Sequence, residues 1–327
     1  MMLEPKQSIM LHSQRLKVEI ARPGEVYRGT RFDWAGFISQ VTLDDKHTFC
    51  VPESYQPGEG TGGVGLCNEF GNDLAIVYDE AQPGEPFPKP GIGLLIRPDA
   101  SPYNFFRPHE IAQLFPIRVE ERPEEAVFIT DPLDCRGYAF RLTKNIKVND
   151  NQLEIAYKLV NTGAKPLATN EYCHNFLGIN QQLLGPEYRL RLPYKIKLEP
   201  PPRDMHKLAP ASLRRLLPRF ILQKIVEGML KRMQKNLAIS GNELFCRDKP
   251  QGAFYCRLQG FQPSDKPQWE LVYLPSGVSV SERDYFPPMR VVVWGTTHVI
   301  SAEVYIAIYL EPGETKTWTR SYVFDHS

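Results

Sequence analysis

Within Asn170-Glu171-Tyr172-Cys173-His174-Asn175-Phe176, a carboxylate, a phenol, a thiol and an imidazole occupy four consecutive positions, Glu171 to His174. An imidazole titrates near neutrality, so His174 is suited to giving or taking a proton at physiological pH. The plainer alternative is a histidine that hydrogen-bonds a loop. Arg31 and Asp33 are planar, bidentate groups of the kind that bind vicinal hydroxyls, or an internal salt bridge that steadies the first hairpin. Trp34 and Trp318 offer flat ring faces, although buried aromatics ordinarily serve the core. His109 and His298 stand alone and read as structural or solvent-facing. The seven histidines show no metal-ligand spacing, and no HExxH, glycine-rich phosphate loop or CxxC pair is found. Neither a metal nor an organic cofactor is expected.

These groups must be positioned by strands. Short runs rich in β-branched and aromatic residues dominate, among them Leu16–Ile20, Gly36–Leu43, Tyr138–Leu142, Leu153–Val160, Met289–Trp294, Val304–Leu310 and Lys316–Phe324. In Gln152–Val160 the residues Leu153, Ile155, Tyr157 and Leu159 alternate with polar neighbours and share one face. Turn residues separate the runs, as at Asn149-Asp150-Asn151 and Glu311-Pro312-Gly313-Glu314. His174 follows the short run Pro166–Thr169 and is expected at a strand end. Many strands and few helices predict an all-β antiparallel architecture, a sandwich or several packed sheets.

One segment, Ser212–Asn236, departs from this pattern and predicts a helix running on from Pro218. Ile221, Ile225, Met229, Met233 and Leu237 recur every fourth residue as an apolar stripe, with Leu222, Val226 and Leu230 alongside. The segment holds seven basic residues and one acid, leaving a net −5 for the remainder of a chain whose total is +1. The reading favoured here is a helix packed on the β body with its basic side in water. The alternative is a membrane-surface or partner-docking helix.

Length and composition fit an ordinary globular protein, 327 residues with 42% hydrophobic and 24% charged. The balance of 39 basic against 38 acidic residues argues against a surface built for nucleic acid. No apolar run reaches the length a membrane-spanning helix needs, and the start lacks a basic-then-apolar leader pattern. Six scattered cysteines read as reduced, mostly buried thiols, which predicts a cytoplasmic protein.

The motifs Tyr27-Arg28-Gly29-Thr30-Arg31-Phe32-Asp33-Trp34, Tyr172-Cys173-His174-Asn175-Phe176 and Ser301-Ala302-Glu303-Val304-Tyr305-Ile306, then Pro312-Gly313-Glu314 and Trp318, resemble a divergent branch of the galactose mutarotase-like (aldose 1-epimerase-like) superfamily. The resemblance runs from about residue 15 to 325 and implies one domain, 1–327, folded as a β-supersandwich with 212–236 as a helical insertion. It further implies a monosaccharide or sugar derivative as partner and interconversion of the anomers of a free aldose by acid–base ring opening, without a cofactor. A base takes the anomeric proton while an acid protonates the ring oxygen.

By that resemblance His174 is the acid and Glu303 the base, with Glu270 the next candidate on position alone. Lys89, in Phe87-Pro88-Lys89-Pro90-Gly91, stands where better-known members carry a second histidine. Asn68-Glu69 stands where they carry asparagine-arginine, so Arg31 is expected to supply the missing guanidinium. Asp33, Asn68, Asn175 and Trp294 complete the expected sugar contacts, Trp294 because it closes a strand shortly before Glu303. Two readings follow: a sugar mutarotase, or a non-catalytic carbohydrate-binding protein of the same fold.

Overall fold

The computed structural model describes residues 7–199, 218–262 and 268–326. Ser212–Leu217 of the expected insertion lie outside these residues, as do the side chains of Leu230 and Met233 within its helix.

Two large sheets and a small one account for the strands. The first has ten strands. Its central run, in spatial order, is Phe37–Leu43, Gly65–Phe70, Leu167–Phe176, Ile300–Leu310, Arg290–Gly295 and Phe254–Gln259. The second also has ten, centred on Val278–Asp284, Thr315–His326, Gln152–Asn161 and Phe140–Asn149. Pro86–Lys89, Gly93–Ile96 and Ile111–Leu114 make the third. Neighbouring strands pair antiparallel throughout these central runs, so the all-β expectation holds.

The period-two pattern explains how the sheets face each other. Leu153, Ile155, Tyr157 and Leu159 are buried while Gln152, Glu154 and Lys158 are exposed, as the alternation requires. These residues enter one apolar core with Leu66, Phe70, Ile306 and Ile308 of the first sheet. A second cluster, including Tyr27, Phe32, Phe37, Cys67, Phe87 and Phe176, packs on the opposite face of that first sheet. The first sheet is therefore covered on both sides, which is why Gly65–Phe70 is buried at every position. All six cysteines are free and buried.

Two elements differ from the sequence reading. The strand expected to stop near Thr169 runs through His174 to Phe176, because pairing with Gly65–Phe70 on one side carries it past the polar residues. The strand expected over Tyr138–Leu142 occupies Phe140–Asn149 instead. Its polar stretch Thr143–Asn145 hides a buried position, since Lys144 is only 1% exposed.

The helix, α1, spans Arg219–Gln234, with Ile221 and Leu222 amides donating to the Pro218 carbonyl. Leu222 and Val226 are buried, whereas Ile225 and Met229 of the expected stripe are exposed. A helix lying on the single strand Phe254–Gln259 seals only a narrow seam, and Gln234 Nε2 donates to Tyr255 O along it. Leu237 lies beyond the helix, buried in the strand Leu237–Ser240. No helix among the described residues is long and apolar enough to cross a membrane.

Candidate functional site

Alternation along the Leu167–Phe176 strand turns Tyr172, His174 and Phe176 to the face away from the second sheet, and Glu171, Cys173 and Asn175 toward it. On the neighbouring Ile300–Leu310 strand, Ser301, Glu303 and Tyr305 share the face of His174, while Ala302, Val304 and Ile306 join the core. Pairing of these two strands runs regularly from Leu167–Leu310 to Glu171–Ile306, lapses, and returns as a bridge at Leu177–Ile300 in unchanged register. Across the lapse, side chains replace the backbone ladder. Asn175 N donates to Ser301 Oγ at 2.9 Å, and Asn175 Nδ2 donates to Ala302 O at 2.7 Å. His174 and Glu303 meet here, Nε2 to Oε1 at 3.3 Å, each side chain 5% exposed.

Burial sets the protonation of this pair. Loss of solvent drives the Glu303 carboxyl up to about 8, although Arg31 and hydrogen bonds from Ser301 and Tyr305 pull the other way. Burial, with the Arg31 charge adding, holds the imidazole well below its ordinary 6.5. At neutral pH the pair is thus an uncharged carboxylic acid beside a neutral imidazole.

Aromatic rings enclose the pair. The imidazole stacks on Phe176 at 3.8 Å between centroids and meets Trp294 edge-on at 5.2 Å. Tyr172 and Tyr305 stack at 4.2 Å, and the Arg290 guanidinium lies 3.8 Å from the Tyr305 ring. Arg31 ties this wall to Glu69. Its Nε donates to Glu69 Oε2 at 2.9 Å and its Nη2 to Tyr172 Oη at 3.1 Å, while Tyr172 Oη donates to the same carboxylate at 2.5 Å. Lys89 Nζ sits 3.8 Å from Glu69 Oε1 and donates to Phe70 O and Tyr103 Oη. Three buried atoms on this face have no hydrogen-bond partner, His174 Nδ1, Glu69 Oε1 and Arg290 Nε. Such orphans mark places where a polar ligand would be accommodated.

The sequence-expected residues therefore divide. The structure brings His174, Glu303 and Trp294 together, with Arg31 and Lys89 linked to the same face through Glu69. Asp33, Asn68 and Asn175 point the other way, and the expectation that they contact a sugar is corrected by their direction. Asp33 pairs with Lys144 at 2.7 Å, and Lys144 Nζ also donates to Asn68 Oδ1. Asn68 Nδ2 donates to Tyr157 and Glu171. Asn175 binds Glu282 and Tyr322 of the second sheet. Glu270 lies in the second sheet against Arg191 at 3.3 Å, away from the histidine. Tyr172, Ser301 and Tyr305 were not singled out by sequence, although counting by twos from His174 and Glu303 finds them.

Of two cavities, one of about 370 Å³ lined by Asp73, Tyr78, Glu80, Tyr103 and Tyr138, the other of about 640 Å³ beside the helix, neither is lined by His174 or Glu303. The aromatic cover leaves each side chain of the pair 5% exposed, and Trp294 is the partly buried member of that cover.

No family model matches the sequence, and no curated protein does. Solved structures do match in shape. A galactose mutarotase related enzyme of Lactobacillus acidophilus is 11% identical, with 97% of each chain covered and a TM-score of 0.57. The aldose epimerase homologue of C. elegans is 12% identical over 98% of both chains, TM-score 0.56. A galactose mutarotase-like protein of Lactobacillus casei is 10% identical, covering 97% of this chain and 100% of its own, TM-score 0.55. The fold is that of the galactose mutarotase-like proteins, at a sequence identity of only 10–12%.

Proposed function

We propose that this chain is a sugar mutarotase that interconverts the anomers of a free aldose, with His174 and Glu303 as the proton-transferring pair. The observation that carries the reading is their meeting at 3.3 Å on one sheet face, beside the unpartnered His174 Nδ1 and Glu69 Oε1. The proton held by Glu303 fits the chemistry. Moving it from Glu303 to His174 Nε2 yields a carboxylate and an imidazolium. The carboxylate then takes the proton of the anomeric hydroxyl, whose O–H electrons form the C1 carbonyl. The C1–O5 bond breaks, and O5 receives the imidazolium proton. Rotation about C1–C2 and the reverse steps close the ring on its other face. Arg31 and Lys89 serve as the positive rim of the sugar site, and Trp294 as a stacking face. The protein works in the cytoplasm, a setting that six free buried thiols suit, as a single domain carrying the 212–236 insertion.

The 5% exposure of both side chains favours one other reading, a carbohydrate-binding protein without turnover. NMR exchange on freshly dissolved glucose and galactose separates the two. Exchange faster than buffer, abolished in His174→Asn, supports the mutarotase. Sugar binding with exchange at the buffer rate overturns it.

A further inference from the structure

The helix that failed to bury its stripe leaves an unusual surface. Phe220, Ile225 and Met229 are 66%, 48% and 60% exposed. Between and beside them stand Lys224, Lys231, Arg232 and Lys235, all exposed. The facing loop adds exposed Arg247 and Lys249, so that Arg232, Lys235, Arg247 and Lys249, with Asp248 the single acid, line the 640 Å³ cleft that Met229 and Phe254 floor. No ion pair joins any of these six cations to another described residue. Surface cations elsewhere are commonly matched, as in Arg15–Asp44, Arg107–Asp99 and Arg118–Asp131. Six unmatched cations thus gather on one element and its neighbour, against a chain whose residues outside 212–236 are net negative.

We propose that α1 and this cleft dock on an anionic lipid surface, with headgroup phosphates in the cleft and Ile225 and Met229, which share the helix side that carries Arg232, in the boundary beneath them. A bilayer interface accepts both features at once. Protruding apolar side chains enter the headgroup–acyl boundary, and long lysine and arginine stems reach back to phosphate. A soluble polyanion such as RNA would satisfy the cations but leave Ile225 and Met229 in water. The Leu222–Val226 seam stays on the β body, so the helix docks without leaving its strand.

The test is cosedimentation of the full chain with phosphatidylcholine vesicles, with and without phosphatidylserine, over a salt series. Binding is expected only with phosphatidylserine and should weaken as salt rises. Lys231→Gln combined with Lys235→Gln should lower partitioning about fivefold per charge removed. Ile225→Ser combined with Met229→Ser should also weaken it, and since all four side chains are exposed the melting temperature should stay put. Absence of binding, or equal binding to neutral vesicles, overturns the proposal. So does binding to polyuridylate that the Ile225/Met229 variant leaves unchanged, or self-association through this face seen by sedimentation velocity.

Discussion

His174 and Glu303 are held close by strand pairing, and their burial makes their protonation a measurable property. Relative to ordinary values of 6.5 and 4.5, the imidazole is depressed and the carboxyl raised to about 8. A depressed histidine adds stability as pH rises to 6.5; a raised glutamate removes stability as pH climbs from 4.5 to 8. Above about 6.5 the histidine adds nothing further, and the carboxyl alone removes about 1.4 kcal/mol per pH unit up to 8. Urea unfolding at pH 6.5 and 8 should therefore show a loss of about 2 kcal/mol in the parent chain that Glu303→Gln abolishes. An equal loss in both would refute the assignment. If the proposed chemistry is right, His174→Asn lowers anomer exchange by about 10²-fold, read by NMR line exchange at fixed sugar concentration. Arg320 offers a contrasting test that concerns structure alone. It is fully buried between the sheets, bonded to Glu171, Glu282 and Asp284, and burial together with repulsion from Glu282 already pushes Asp284 upward. Arg320→Met strands three carboxylates and should cost roughly 3–5 kcal/mol in denaturant titration, independently of any sugar.

At the level of strands and turns, much was legible. Alternating runs such as Gln152–Val160 announced their buried faces, because one side of each meets an apolar core. Strands whose inward residues are charged were harder to see. Lys144 faces inward to Asp33 and Asn68, and Glu171, Glu282 and Asp284 face inward to Arg320, and no hydrophobicity pattern reveals that. The same cause sent Asn68 and Asn175 to the wrong side in the sequence reading. Motif resemblance fixes a residue's place in the chain, but only strand phase fixes its direction. Glu303 and His174 were found by resemblance, and their partners Tyr172, Ser301 and Tyr305 needed only phase. The turn after Lys89 is equally specific. Gly91 has φ +76°, and a Cβ there would stand 1.8 Å from Asp33 Oδ1. Gly91→Ala should thus displace the Asp33–Lys144 pair and lower the melting temperature well beyond the few degrees typical of a surface substitution.

Across the whole molecule, the first sheet is the shared wall of two different interiors. Toward the second sheet lies the larger core, threaded by the Asp33–Lys144–Asn68–Glu171–Arg320 chain of contacts. Toward the other side lie the aromatic cluster and the His174–Glu303 pair. The helix is attached by a much smaller contact, the Leu222–Val226 seam. Hydrogen exchange should accordingly find the amides of Arg219–Gln234 opening well before those of Ile300–Leu310. Uniform protection of both would argue that the helix is locked into the same cooperative unit.

Where Leu167–Phe176 and Ile300–Leu310 part company between their two regular stretches, the fastening is made by Asn175 and Ser301 rather than by peptide groups. A seam stitched with side chains can be undone by turning two of them, Ser301 and Asn175. The sheet thus carries, at its most enclosed point, a place able to yield locally while the hydrogen-bonded rows above and below keep their alignment.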